Sequence, residues 1–320
     1  MKITNKTLKI IIILFVIINV YYIYQKYKIH FNVTIISDSF TKKANKKEAY
    51  LYENKNKIDP SFRRNALPIR SSNKLEIDIV IPIVEKDLEV AIHTINSIRK
   101  LVMHKIGKIY LVAPNIDKII NFAKEYNCEF VDENQVLPDP KLKKHGGWIM
   151  QQFIKLNMQD IVEKDHYLVV DADTFFLRPV VFMQNNLYLV NVHVDCCKLR
   201  KKYTANILNN KKTYAYDFVP HHMLFSKKIL KQMKQHIENI HNDVWYKVFL
   251  KSFINDQISL RGFSEYELYT TYLTEFTREK FKFVSNANLP MHRNFLGSVE
   301  QIIKAYAADY KSISSHHCLM

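Results

Sequence analysis

Between residues 76 and 173 the chain alternates short, continuously apolar segments with longer amphipathic ones, and this alternation limits the possible folds more than any other feature. EIDIVIPIV (76–84), KIYLVA (108–113), CEFV (128–131) and YLVV (167–170) read as buried strands. LEVAIHTINSIRKLV (88–102), NIDKIINFAKEY (115–126) and WIMQQFIKLNMQDIV (148–162) carry the 3.6-residue spacing of amphipathic helices. Strands that are apolar on both sides need cover on both faces. The expected fold is therefore α/β, a mostly parallel sheet flanked by helices. In such sheets ligands sit beyond the carboxyl ends of the strands.

The fourth strand runs into VDADTFF (170–176), which puts Asp171 and Asp173 at its carboxyl end. An unpaired buried carboxylate is costly, so either the strand surfaces there or a positive partner is present. Two carboxylates on one short turn suit a hard divalent cation, Mn²⁺ or Mg²⁺, and leave coordination positions for phosphate oxygens. Asp171 and Asp173 are the metal and nucleotide candidates; a solvated turn is the plain alternative. Haloacid-dehalogenase phosphatases also end a strand in Asp-x-Asp. They want Thr or Val where Phe175 stands, and they carry the motif on their first strand, not their fourth.

Upstream, Trp148, Gln151, Gln152 and Lys155 fall at i, i+3, i+4 and i+7, one stripe of a helix whose neighbouring stripe is Ile149, Phe153 and Leu156. The polar stripe offers a stacking ring, amides and a cation to a nucleotide. Lys144, just before His145-Gly146-Gly147, is with Lys155 a candidate cation for the diphosphate. Read structurally, Trp148 is core and the glutamines are exposed. In GFSEYELYTTYL (262–273), Ser264 is an N-cap, Glu267 completes a capping box, and Phe263 and Leu268 form a hydrophobic staple. Glu265 is left over, either a partner of the helix dipole or a general base. His316 and His317 in SISSHHC are further metal candidates if the tail folds back, or a frayed terminal pair. His221 and His222 in FVPHHMLFS read as a strand entering the core, with one ring free to face an acceptor pocket.

The chain has 320 residues, 48% of them hydrophobic, with 47 Lys and Arg against 31 Asp and Glu and a formal charge of +16. Such a charge suits an anionic partner. The basic residues come in short clusters (141–144, 198–202, 211–212) without an arginine-rich helix or zinc-finger spacing, so solvated lysine faces are expected and nucleic acid is not. The four cysteines lack metal-site spacing, and at most one long-range bridge is expected. Residues 9–25 are nearly all apolar, with Tyr21, Tyr22 and Tyr24 at the distal end and no small-x-small cleavage site after them. The expected organisation is a cytoplasmic N-terminus (1–8), a transmembrane signal anchor (9–25), a polar stem (26–73) and a catalytic domain (74–320). Asn32-Val33-Thr34 in the stem is a glycosylation acceptor if lumenal. This makes a single-pass protein of a Golgi- or ER-type membrane in a eukaryotic or viral setting, or of the inner membrane in a bacterium.

Taken in order, IVIPIVEKD, GGWIMQQFIKL, VDADTFF, PHHMLFS, FSEYELY and the closing SSHH resemble the GT-A glycosyltransferases, most closely a bacterial and viral group known mainly as a domain of unknown function. The resemblance spans residues 76–317. It implies a GT-A-like domain with Mn²⁺ or Mg²⁺ on the Asp-x-Asp turn. Asp173 would touch the metal directly, Asp171 the ribose or the metal, and a carboxyl-terminal His would add a ligand. Pro82 and Asp87 would meet the base and ribose. The expected activity is transfer of a sugar from a nucleotide-sugar donor to a glycan, lipid or protein, with inversion and Glu265 as base. A non-catalytic nucleotide-sugar- or carbohydrate-binding module on a membrane stalk is the alternative, and a metal-dependent phosphatase a more distant one.

Overall fold

Strand β1 (Glu76–Pro82) places Ile77, Ile79, Val80 and Ile81 out of contact with solvent, at 0% exposure. β-Branched residues suit this doubly covered position, and Pro82, with no N–H to give the ladder, ends the strand. Around it run β2 (Lys105–Ala113), β3 (Glu129–Asp132), β4 (His166–Val170), β5 (Thr174–Phe176), β6 (Met183–Gln184), β7 (Leu187–Val192), β8 (His222–Ser226), β9 (Lys280–Ser285), β10 (Asn288–His292) and β11 (Ser312–His316). The helices are α1 (Leu88–Leu101), α2 (Asp117–Glu125), α3 (Gly147–Asn157), α4 (Lys198–Leu208), α5 (Lys227–His241), α6 (Trp245–Asn255), α7 (Glu265–Phe276) and α8 (Val299–Tyr306), with a single helical turn at Glu133–Val136. The computed structural model describes residues 75–193, 197–212, 214–255, 262–295 and 298–316. The expected anchor, stem and glycosylation acceptor, and His317, lie outside them. Among the described residues no helix is long and apolar enough to cross a membrane.

The main sheet has the order β3-β2-β1-β4-β8. β1 runs parallel to β2 and β4, β2 runs parallel to β3, and only β8 is antiparallel, to β4. The mostly parallel α/β sheet read from the sequence is therefore present. β2 starts three residues earlier than its apolar run, because a register shift takes up an extra residue opposite the Ile77–Ile79 stretch of β1. Gly107 sits in this bulge: a Cβ there would come within 2.5 Å of Asp78 Oδ1. Asp78, in the middle of β1, accepts backbone N–H bonds from Lys108 (2.9 Å), Glu163 (2.7 Å) and Lys164 (2.9 Å). This buried carboxylate needs no cation, since three donors satisfy it. The helix expected to run to residue 162 stops at Asn157 and tightens into a 3₁₀ turn, Met158–Asp160, before entering β4.

Two small sheets border the main one. β6-β7-β9 pairs β7 antiparallel to β6 and parallel to β9. In β10-β11-β5, the carboxyl-terminal strand β11 runs antiparallel to β5 and parallel to β10. Val90, Phe175, Leu177, Ile302 and Ile313 form the apolar cluster beneath it. The terminal segment is thus ordered strand as far as His316, and it lies beside the strand that leaves the Asp-x-Asp turn.

Candidate functional site

The turn between β4 and β5 is held from three sides. The Asp171 N–H donates to His221 O (2.9 Å), the Thr174 N–H to Asp171 O (2.9 Å) and Thr94 Oγ1 of α1 to Ala172 O (2.8 Å). From the tail, the Ser315 N–H donates to Asp173 O (2.8 Å). Both carboxylates therefore have a fixed backbone beneath them at the carboxyl end of the sheet. They line a cleft of about 300 Å³.

Helix α3 forms the second wall. Its apolar face is fixed by ring packing: Phe153 meets Phe249 edge-on at 5.7 Å and Phe263 at 5.1 Å. This docking turns the polar stripe to the cleft and brings α3 against the start of α7. Trp148 stands at the rim, 54% exposed, so it is not core. Gln152, by contrast, is buried. Its Oε1 accepts the Glu265 N–H (3.1 Å) and its Nε2 donates to Trp148 O (3.4 Å), which pins the amino end of α7. Gln151 lines the cleft half-buried.

Lys155 lies at the centre, its side chain 3% exposed. Its Nζ donates to Asp171 Oδ1 (2.6 Å), Glu265 Oε1 (2.8 Å) and Tyr266 Oη (3.2 Å). Asp171 Oδ1 also accepts from Tyr266 Oη (3.2 Å), and its Oδ2 from His221 Nδ1 (3.1 Å). Burial opposes each of these charges. For Lys155, Asp171 and then Glu265 outweigh it and lift the ammonium pKa well above its usual value. For Asp171, Lys155 and His221 outweigh it and hold the carboxyl well below the usual carboxylate range. For Glu265 burial prevails over Lys155, and the pKa is raised. Of the two carboxylates sharing one lysine, Asp171 stays charged and Glu265 is biased toward taking a proton.

The remaining expected residues divide. Pro82 and Asp87 line the cleft from the end of β1. Asp87 is engaged by Arg293, whose Nη2 donates to Asp87 Oδ1 (2.7 Å) and whose Nη1 donates to Lys86 O (2.9 Å). Arg293 also reaches Ser315 O (3.3 Å), tying this wall to β11. Lys144 is exposed at the end of a 3₁₀ segment, Pro140–His145, and does not line the cleft. The backbone of His316 follows Ser315 past Asp173. Among the described residues no group of three or more His, Cys, Asp or Glu is assembled to hold a metal.

Several cleft residues carry no signal of their own in the sequence. Arg200 lines the cleft and pairs with Asp217, while Lys201 beside it is buried, so two members of a cluster read as solvated are not. The cluster's length hid this, since a run of cations looks the same whichever way its helix turns. Tyr266 enters beside Glu265; of the pair His221 and His222, expected to enter the core with one ring free to face a pocket, it is His221 that lines the cleft. Ser264 caps α7 as expected, accepting from the Glu267 N–H (3.3 Å), and Phe263 and Leu268 are both buried. The capping box is only half formed, because the Glu267 carboxylate turns inward to Lys201 (2.8 Å). Cys128 and Cys197 are free thiols.

Four carboxylates (Asp87, Asp171, Asp173, Glu265) and two cations (Lys155, Arg200) line the cleft beside His221, a formal charge of −2 for those six residues. Within a chain of +16 this is a local reversal of sign. It can hold a cation, and through the cation an anion.

Among solved structures the fold is similar to that of mouse xyloside xylosyltransferase 1 in its apo form, at 12% identity over 76% of this chain and 98% of that one, with a TM-score of 0.44. It is similar to glucosyl-3-phosphoglycerate synthase from Mycobacterium tuberculosis in complex with Mn²⁺, uridine diphosphate and phosphoglyceric acid, at 12% identity, 68% and 70% coverage and a TM-score of 0.40. It is also similar to the galactosyltransferase LgtC in complex with donor and acceptor sugar analogues, at 13% identity, 75% and 87% coverage and a TM-score of 0.39. No curated protein matches the sequence. Residues 74–297 match the profile of a family of unknown function, DUF6492, and the chain belongs to that family.

Proposed function

We propose that the chain is a metal-dependent glycosyltransferase that moves a sugar from a nucleotide-sugar donor to a glycan, lipid or protein acceptor with inversion. The observation that carries this is one cleft at the carboxyl end of the sheet. It joins the Asp171–Asp173 turn, the Lys155–Glu265 pair, and Trp148 exposed at the rim. A nucleotide diphosphate would bring negative charge into a cleft that is already negative, which a divalent cation offsets. The oxygen-rich, anionic donor set fits Mn²⁺ or Mg²⁺. Asp173 would hold the cation, and His316 and His317 would be further ligands. Asp171, whose Oδ1 accepts from Lys155 and Tyr266 and whose Oδ2 accepts from His221, would offer a remaining lone pair of Oδ2. A cation held there would supply stabilisation of charge on a departing diphosphate.

Pro82 and Asp87 would border the base and ribose, Trp148 supplies a ring face, and Gln151 amide groups. The acceptor hydroxyl oxygen bonds to the anomeric carbon as the bond from that carbon to the diphosphate oxygen breaks, and the hydroxyl proton passes to Glu265. The raised pKa of Glu265 suits a base at neutral pH. Lys155 keeps its proton and fixes Asp171 and Glu265 in place, a change from the expectation that it serves the diphosphate. An anchor at residues 9–25 with the amino terminus cytoplasmic belongs to the same proposal. The alternative, a binding module without chemistry, draws on the burial of Glu265, 4% exposed and already paired.

The test is release of nucleoside diphosphate from several nucleotide sugars, with and without Mn²⁺. Mn²⁺-dependent turnover that Asp173→Ala lowers about a hundredfold or more supports the proposal. Turnover unaffected by chelation and by Asp173→Ala refutes it, and donor binding without turnover favours the module.

A further inference from the structure

The far end of α7 builds a second site. Phe276, the last residue of α7, is 37% exposed. Its ring stacks on Tyr272 with centroids 5.3 Å apart and planes 11° from parallel, and lies against His236 of α5 at 4.4 Å. Gln232, Gln235 and Asn239 follow one face of α5 at i, i+3 and i+7 and are exposed. Together these residues line an open groove of about 490 Å³ between α5 and the end of α7. Among the described residues the three amides make no side-chain hydrogen bond, whereas the His236 ring is already used on Leu208 O (3.2 Å). At the rim Lys228 pairs with Glu279 (3.4 Å), leaving Arg278 as the one uncompensated charge among the described lining residues.

We propose that this groove is a second, non-catalytic binding site for a neutral oligosaccharide. Each feature matches that chemistry. An amide offers two donors and an acceptor carbonyl, the pattern needed by vicinal hydroxyls that both give and take hydrogen bonds. A pyranose ring presents a face of C–H bonds, weakly positive, that packs on the negative face of an aromatic ring. A stacked aromatic floor with a row of unpaired amides above it thus serves both sides of a sugar. The near-neutral lining argues against a polyanion: the chain has a charge of +16, and little of it is spent here.

The groove is independent of the cleft but lies on the same rod. Glu265 and Phe276 are the two ends of α7, about 16 Å apart at roughly 1.5 Å per residue. If the transferase reading holds, the occupant is the distal part of a glycan acceptor, and that identification alone rests on it.

The test measures binding of the full-length chain to neutral oligosaccharides of three to six hexose or N-acetylhexosamine units, alongside sialylated and sulfated ones, by saturation-transfer NMR and titration. Neutral chains should bind with transfer to aromatic protons, and Phe276→Ala and Gln235→Ala should each weaken them about two- to tenfold. Asp173→Ala should leave this binding unchanged, and Phe276→Ala should leave donor hydrolysis unchanged. No neutral chain bound, only acidic chains bound, or binding lost in Asp173→Ala but kept in both groove variants would each overturn the proposal. Groove-dependent binding in a chain that hydrolyses no donor would retain the groove and remove the transferase.

Discussion

The cleft wall and the core behind it are built from the same residue types, often at adjacent positions. Arg200 faces the cleft and Lys201 is buried behind it; His221 touches Asp171 while His222 is sealed among Phe176 and Phe182; Glu265 lines the cleft and Glu267 does not. The two buried lysine–glutamate pairs even share a 2.8 Å separation. They differ in how the charge closes. Lys201 has one carboxylate, Glu267, and the Phe218 ring face 4.4 Å away, so it ends neutral. Lys155 has two carboxylates and ends at −1. A closed pair is structural, whereas an open one can still accept a cation or a proton. A buried ion pair does not by itself mark a site; the uncompensated charge beside it does.

Removing each lysine is the sharpest way to break this contrast. Lys201→Met strands one buried carboxylate and should cost about 3–5 kcal/mol, the usual effect of breaking a buried pair. Lys155→Met strands two, and its loss should equal or exceed that range, read from urea midpoints at constant m-value. Equal and small losses for both would end the distinction.

Next come the glutamates, in activity. Glu265→Gln should lower kcat by about 10² to 10⁴ while leaving the fold intact, because Lys155 keeps Asp171. Glu267→Gln should keep turnover within a few-fold and lower only the melting temperature. Matching kinetic losses would show that the helix terminus, not the cleft-facing carboxylate, is what matters.

The histidines show the contrast only in pH dependence. Burial, with His221 and Lys311 adding to it, holds His222 down to about 3, and burial with His166 holds His104 down to about 4. Unfolded histidine titrates near 6.5, so below that the unfolded chain binds protons the folded one refuses. Stability from these neutral rings is complete above about pH 6.5 and declines as pH falls toward 4 and then 3. A tenfold difference in proton affinity between the two states is worth about 1.4 kcal/mol. His222→Leu should flatten the decline between pH 6.5 and 4 in denaturation midpoints, and an unchanged slope would return the acid sensitivity to the carboxylates.

Much of the site could be read locally. The Asp-x-Asp turn was visible because an apolar strand does not end on two carboxylates without a reason. The α3 stripe was visible because helical spacing groups Trp148 with Lys155, and the α7 cap because Ser264 acts on a donor three residues away. What was hidden involved partners distant in sequence. Arg293 lies 206 residues from Asp87, and Lys155 lies 110 from Glu265. No local pattern reports such pairs, and a cation destined for burial looks like one destined for water.

The sequence by itself determined the alternation of strands and helices, the end of the sheet at which the Asp171–Asp173 turn lies, and which residue types would be available there. Only the tertiary structure decided which member of each like-charged pair faces the cleft, and that Lys155 would be shared. Periodicity is a property of neighbours along the chain. Charge compensation is a property of neighbours in space, set when Phe153 docks α3 against the start of α7.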